Sequence, residues 1–89
     1  MNTMQELFEK IKLVLVEQPH SDSSSLIAQA LASACNSSYS VSMLDIAIKL
    51  DSKNKTLINS LTHICSFEDY SNSLQDETLY WLREKKYIE

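Results

Sequence analysis

Apolar residues recur at helical spacing along almost the whole chain. They form a stripe over residues 4–16, which Pro19 ends because its ring removes a backbone donor and disfavours helix in the residue before it. A second stripe, over residues 26–35, follows a cluster of capping residues at 22–25. The pattern therefore predicts two amphipathic helices, with Cys35 at the end of the second buried face.

Three further helices are predicted after a polar loop at residues 36–40. Ser42 and Asp45 have the spacing of a capping box at the start of a short third helix. Its residues expected to face inward are Met43, Leu44, Ala47, Ile48 and Leu50. Asp51 and Ser52 then end this helix and begin the fourth. Its predicted buried face consists of Leu57, Ile58, Leu61, Ile64 and Cys65.

The fifth helix follows a second polar loop at residues 66–72. Ser73 and Asp76 repeat the capping-box spacing, and the helix continues through Leu74, Leu79, Trp81 and Leu82. We expect Trp81 to lie on the buried face. The fold class is thus all-α: a compact bundle of about five short helices in a single domain, residues 1–89.

A faint repeat relates the middle and the end of the chain. Ser25-Leu26-Ile27 aligns with Thr56-Leu57-Ile58, and Asp45 aligns with Asp76 at the same offset. A true repeat would imply two helical hairpins plus an N-terminal helix, but any two amphipathic hairpins in a bundle would share this much, and coincidence is the favoured interpretation. The junction at residues 47–54 resembles the segment that joins two tetratricopeptide repeats. That resemblance covers the junction alone, and it identifies no family.

Composition excludes several classes of enzyme. The chain has no glycine, which phosphate-binding loops and dinucleotide fingerprints require for positive φ or close backbone approach. The two histidines, His20 and His63, offer little catalytic chemistry, because His63 and Cys65 point in different directions on a helix. We therefore expect a non-enzymatic protein whose Cys35 and Cys65 are buried, reduced thiols.

The sequence also predicts that the protein needs no cofactor, metal or membrane. No Cys or His pair has the spacing of a zinc site, and no acidic loop has that of a calcium site. The longest apolar run, residues 13–16, is far too short to span a bilayer. Because no signal peptide is recognisable, we expect a cytoplasmic location.

Residues 77–88 are similar to the recognition helix and first strand of winged-helix regulators. The resemblance implies a helix-turn-helix DNA-binding regulator, which is the alternative function. The net charge of −4 opposes it, because binding to phosphates requires a basic face. Asp76 and Glu77 in the first turn of that helix would also face the phosphates.

Protein binding is the favoured function. Acids and aromatics alternate around the fifth helix, and the predicted partner-binding residues are Phe67, Glu68, Asp69, Tyr70, Asp76, Glu77 and Tyr80. Such a surface suits a partner protein with a basic face. The expected role is stoichiometric, as an inhibitor, an immunity or antitoxin-like protein, an anti-defence protein or an adaptor. A structural subunit that completes its core as a homodimer is a further alternative.

Overall fold

The computed structural model describes residues 3–19 and 21–89, which form helices and no strands. In chain order the elements are α1 (Met4–Glu17), α2 (Asp22–Cys35), α3 (Met43–Lys49), α4 (Ser52–Ser60), a 3₁₀ helix (Leu61–Ser66) and α5 (Asn72–Glu84). The predicted all-α fold class is confirmed. The last turn of the predicted fourth helix tightens into the 3₁₀ helix.

Side-chain caps begin all five α-helices of the described residues. The capping residues are Thr3, Ser21, Ser42, Asp51 and Ser71, and each accepts a hydrogen bond from the backbone N–H three positions later. The predicted caps Ser42 and Asp51 are confirmed. The caps predicted within residues 22–25 and at Ser73 are wrong, since Ser21 and Ser71 hold the extended backbone that a cap needs.

The helix α2 is the centre of the bundle. It packs against α1, α3, α4, the 3₁₀ helix and α5, with its most extensive contact to α5. Its buried residues are Ser24, Ile27, Ala28, Ala30, Leu31 and Ala32. Because most of these side chains are small, neighbouring helices can approach α2 from several directions.

The apolar stripe of α1 closes the core on one side. Met4, Leu7, Phe8, Ile11 and Leu15 are each 0% exposed, as the periodicity predicted. A stripe at this spacing faces one direction on a helix, so α1 buries it against the rest of the bundle. Phe8 is the largest of these fully buried side chains.

The inward orientation predicted for α3 is confirmed for Leu50 and wrong for the other four residues, Met43, Leu44, Ala47 and Ile48, which are exposed. Met43, Leu44 and Ile48 are 70%, 68% and 70% exposed, whereas Ile46 and Leu50 are 5% exposed and face the core. This short helix is apolar on two sides, and it contacts α2 through the narrower one. Periodicity could not choose between two apolar faces.

The helix α5 ends in a Schellman motif. Lys86 has a φ of 63°, and its N–H donates to the carbonyl of Arg83 at 3.0 Å. The N–H of Tyr87 donates to the carbonyl of Leu82 at 2.9 Å. Lysine thus occupies the left-handed position that glycine usually fills.

The motif returns the chain end to the bundle. Tyr87 lies 5.5 Å from Trp81 between ring centroids, and its hydroxyl donates to the carbonyl of Leu15 at 3.2 Å. Lys12 lies over the Trp81 ring at 5.3 Å. Trp81 is therefore half-buried between Lys12 and Tyr87, and less deeply buried than the sequence indicated.

We predict that Lys86→Gly stabilises the protein, by about 0.5–1 kcal/mol, because glycine avoids the steric cost of a Cβ at positive φ. Lys85→Gly is the matched control. Lys85 has right-handed backbone angles, so glycine there relieves no strain in the folded state. It only increases the conformational entropy of the unfolded chain, and Lys85→Gly should therefore destabilise the protein. Urea denaturation of both variants checks the prediction, and a loss of stability in Lys86→Gly would contradict it.

Candidate functional site

The predicted partner-binding residues divide between a loop and the outer face of α5. Phe67 is half-buried against the core, and Glu68 beside it is exposed. Tyr70 is 41% exposed and Tyr80 61%. Asp76 and Glu77 are exposed on the same side of α5 as Tyr80.

Asp69 has an internal role that the sequence did not reveal. Its carboxylate oxygens accept hydrogen bonds from the backbone N–H groups of Met4 at 2.7 Å and Gln5 at 2.9 Å. These bonds, first that from Gln5 and then that from Met4, lower the pKa of Asp69. The loop before α5 therefore caps the start of α1.

This cap completes the first turn of α1. Thr3 Oγ1 accepts from the N–H of Glu6 at 3.0 Å, and the Thr3 carbonyl accepts from the N–H of Leu7 at 3.2 Å. The Leu7 bond is the first regular bond of the helix, and with the two bonds to Asp69 the three preceding N–H groups, those of Met4, Gln5 and Glu6, all have side-chain acceptors. Asp69 thus belongs to the structural frame, while its acidic neighbours remain exposed.

The outer face of α5 is acidic. Asp76, Glu77 and Glu84 are exposed along it, with Tyr80 between them. The guanidinium of Arg83 is directed towards Tyr39, since it donates to the Tyr39 hydroxyl at 2.8 and 3.0 Å. The exposed carboxylates give this face a negative charge, which is unfavourable for contact with phosphates. In place of the strand that the winged-helix resemblance implied, residues 85–88 form the end of the Schellman motif and a short tail.

An apolar surface on α3 is the feature that sequence reasoning missed. We call Met43, Leu44, Ala47 and Ile48 the α3 surface; all four residues are exposed. Large contiguous apolar patches on a protein surface often mark a site of interaction. The sequence did contain an indication of this surface, because the short helix α3 has more apolar residues than one buried face can accommodate.

Two grooves flank α4. The first lies between α3 and α4, and its lining residues are Met43, Ile46, Ala47, Lys55, Thr56, Ile58, Asn59 and Thr62. The second lies between α1 and α4, and its lining residues are Lys10, Leu13, Val14, Glu17, Lys53, Thr56 and Leu57. Thr56 lines both grooves, so they meet on α4. The first groove is also continuous with the α3 surface, because Met43 and Ala47 belong to both.

The burial predicted for Cys65 is wrong. Cys65 is exposed, whereas Leu61 and Ile64 are each 7% exposed. A 3₁₀ helix has three residues per turn, which places residues three apart on one face and turns Cys65 outward. His63 beside it is exposed too. The other histidine, His20, lies outside the described residues.

Cys35 is half-buried at the end of α2, as part of the layer around the core. Burial raises the pKa of its thiol to about 12, while Lys12 lowers it and Asp76 raises it by smaller amounts. Since the thiolate is the reactive form, Cys35 is a poor nucleophile at neutral pH. Both cysteines are free thiols.

The described part of the chain contains no group of three or more His, Cys, Asp or Glu residues placed to hold a metal ion. None of its helices has both the length and the apolar character needed to cross a membrane. Comparisons with protein-family models, curated proteins and solved structures find no significant match to this chain.

The two thiols should differ sharply in reactivity. We expect a maleimide to label Cys65 rapidly in the folded protein, because the side chain is exposed, and to label Cys35 only after denaturation. Mass spectrometry of Cys35→Ser and Cys65→Ser separates the two sites. Fast labelling of folded Cys65→Ser would show that Cys35 is accessible, contrary to this prediction.

The Asp69 cap should make stability depend on pH. Because folding lowers the pKa of Asp69, its contribution is present above the usual aspartate value of about 3.9 and is lost as pH falls through the folded pKa. Asp69→Asn should therefore destabilise the protein at neutral pH, and its deficit relative to wild type should shrink in acid. Thermal unfolding across pH measures both.

Glu68→Gln is the control for this experiment. It removes an adjacent exposed carboxylate that does not cap α1, so its melting temperature should follow that of wild type at every pH. Equal effects of the two substitutions would refute a specific role for Asp69.

Proposed function

We propose that the protein acts stoichiometrically by binding another protein, and that it is not an enzyme. The observation that carries the proposal is the α3 surface. Its three large apolar side chains, Met43, Leu44 and Ile48, are 70%, 68% and 70% exposed. Burying them against a partner would be favourable, at about 25 cal/mol per Å² of apolar surface.

The acidic outer face of α5 supports the same class of function. Asp76, Glu77 and Glu84 can attract a basic region of the partner and accelerate its association, and Tyr80 between them can contribute an aromatic contact. Asp69 is excluded from this role because it caps α1. Inhibitor, immunity or antitoxin-like, anti-defence and adaptor roles all fit such a binding protein.

Homodimerisation through the α3 surface is the second candidate. Ala47 lies between Leu44 and Ile48, so two copies of α3 could approach closely in antiparallel orientation. However, α3 has seven residues and is only about 10 Å long. One such helix supplies much less than the about 800 Å² per partner of a standard interface. A different protein, able to contact more of the surface, is therefore favoured.

Replacing the α3 surface should abolish binding without unfolding the protein. In the variant Met43→Gln, Leu44→Gln, Ile48→Gln the new side chains are exposed and favourable to helix, so the melting temperature should change little. Affinity capture of tagged wild type from the source cells should yield one protein at a fixed stoichiometry. The triple variant should not retain it.

Val16→Gln serves as the control, since Val16 is a 56% exposed apolar residue on α1, away from α3. It should retain the partner. The proposal fails if wild type captures no stoichiometric protein, or if the triple variant captures it as well as wild type. Light scattering of wild type alone tests the homodimer: a stable dimer that the triple variant abolishes would favour the second candidate.

A further inference from the structure

The walls of the two grooves beside α4 have the spacing of helix-binding sites. On α1 the lining residues Lys10, Leu13, Val14 and Glu17 stand at positions i, i+3, i+4 and i+7, which form one continuous helical edge. This edge is about 10 Å long, or two helical turns. It can therefore accommodate two turns of a helix laid along it, in the manner of helix-to-helix ridge packing.

The other groove has matching walls. Ile46 and Ala47 of α3 face Ile58 of α4 and Thr62 of the 3₁₀ helix, and the apolar floor continues onto the α3 surface through Met43. Two helical walls with an apolar floor accept an amphipathic helix. An extended peptide usually binds by adding to a sheet edge, and the described residues contain no strand to offer one.

The rims of the grooves carry positive charge. Lys10 and Lys53 line one groove and Lys55 lines the other, with Glu17 as the acidic residue among the lining side chains. None of these three lysines forms an ion pair with another described residue. This local excess of lysine stands out in a chain with twelve acidic and eight basic residues.

We infer that the surface around α4 binds an acidic amphipathic helix of the partner protein. The apolar side of that helix lies in a groove beside α4, and its Asp and Glu residues meet Lys10, Lys53 and Lys55. The inference rests on the proposed function, because it names the chemistry of the partner segment that covers the α3 surface and its adjoining grooves. The acidic face of α5 is a separate contact, which meets a basic region.

Two synthetic helical peptides test the inference directly. Both are about 18 residues long, with leucines at positions i, i+3, i+4 and i+7; one has glutamates on the flanking positions and the other has lysines. Fluorescence anisotropy should show that the acidic peptide binds at least about tenfold more tightly than the basic one at low salt. The difference should shrink as salt is added.

Charge reversal on α4 should exchange this preference. The variant Lys53→Glu, Lys55→Glu places acids in the first turn of α4, where the helix dipole favours them, so the variant should stay folded. It should weaken the acidic peptide about tenfold and strengthen the basic one. The control Lys85→Glu, Lys86→Glu changes the net charge equally at the end of α5 and should leave both affinities within about twofold.

Amide chemical-shift mapping locates the bound peptide. Shifts at residues 10–17 and 53–62 are expected. The inference is overturned if neither peptide binds, if both bind equally, if Lys53→Glu, Lys55→Glu behaves like its control, or if the shifts map elsewhere. These outcomes are separate from failure of the proposed function. If a partner is captured through the α3 surface but still binds the variant Lys53→Glu, Lys55→Glu as well as wild type, the proposed function stands and the acidic helix is refuted.

Discussion

The bundle depends on the small side chains of α2. This helix is in contact with every other helix, and Ala28, Ala30 and Ala32 on its buried sides leave room for neighbours to approach. Protein interiors are packed so densely that an added methylene forces backbone or rotamer shifts costing about 1–3 kcal/mol. The position of α5, and with it the acidic outer face, therefore depends on small residues that are buried in the core.

The central place of α2 also explains the α3 surface. Ile46 and Leu50 are the residues by which α3 joins the core, and they occupy one narrow side of the helix. The described residues leave the remaining apolar side chains of α3 largely uncovered. A core of this size is complete without them, so their exposure is the structural basis of the binding proposal.

Local patterns predicted the fold better than the site. The α1 stripe and the Ser42 and Asp51 caps were predictable because each depends on residues within one or two turns. The role of Asp69 was not predictable, because its carboxylate accepts hydrogen bonds from N–H groups more than sixty residues earlier in the chain. The exposure of Cys65 follows from a switch to 3₁₀ geometry that apolar spacing did not indicate.

The long-range caps have a consequence for synthesis on the ribosome. The helix α1 emerges first, but the acceptor for its first two N–H groups arrives only with Asp69, and the hydroxyl that binds Leu15 only with Tyr87. At about 5–20 residues per second, α1 waits several seconds for these partners. During that interval its apolar stripe is incompletely covered, so the nascent chain exposes a surface that is prone to aggregate until α5 has been made.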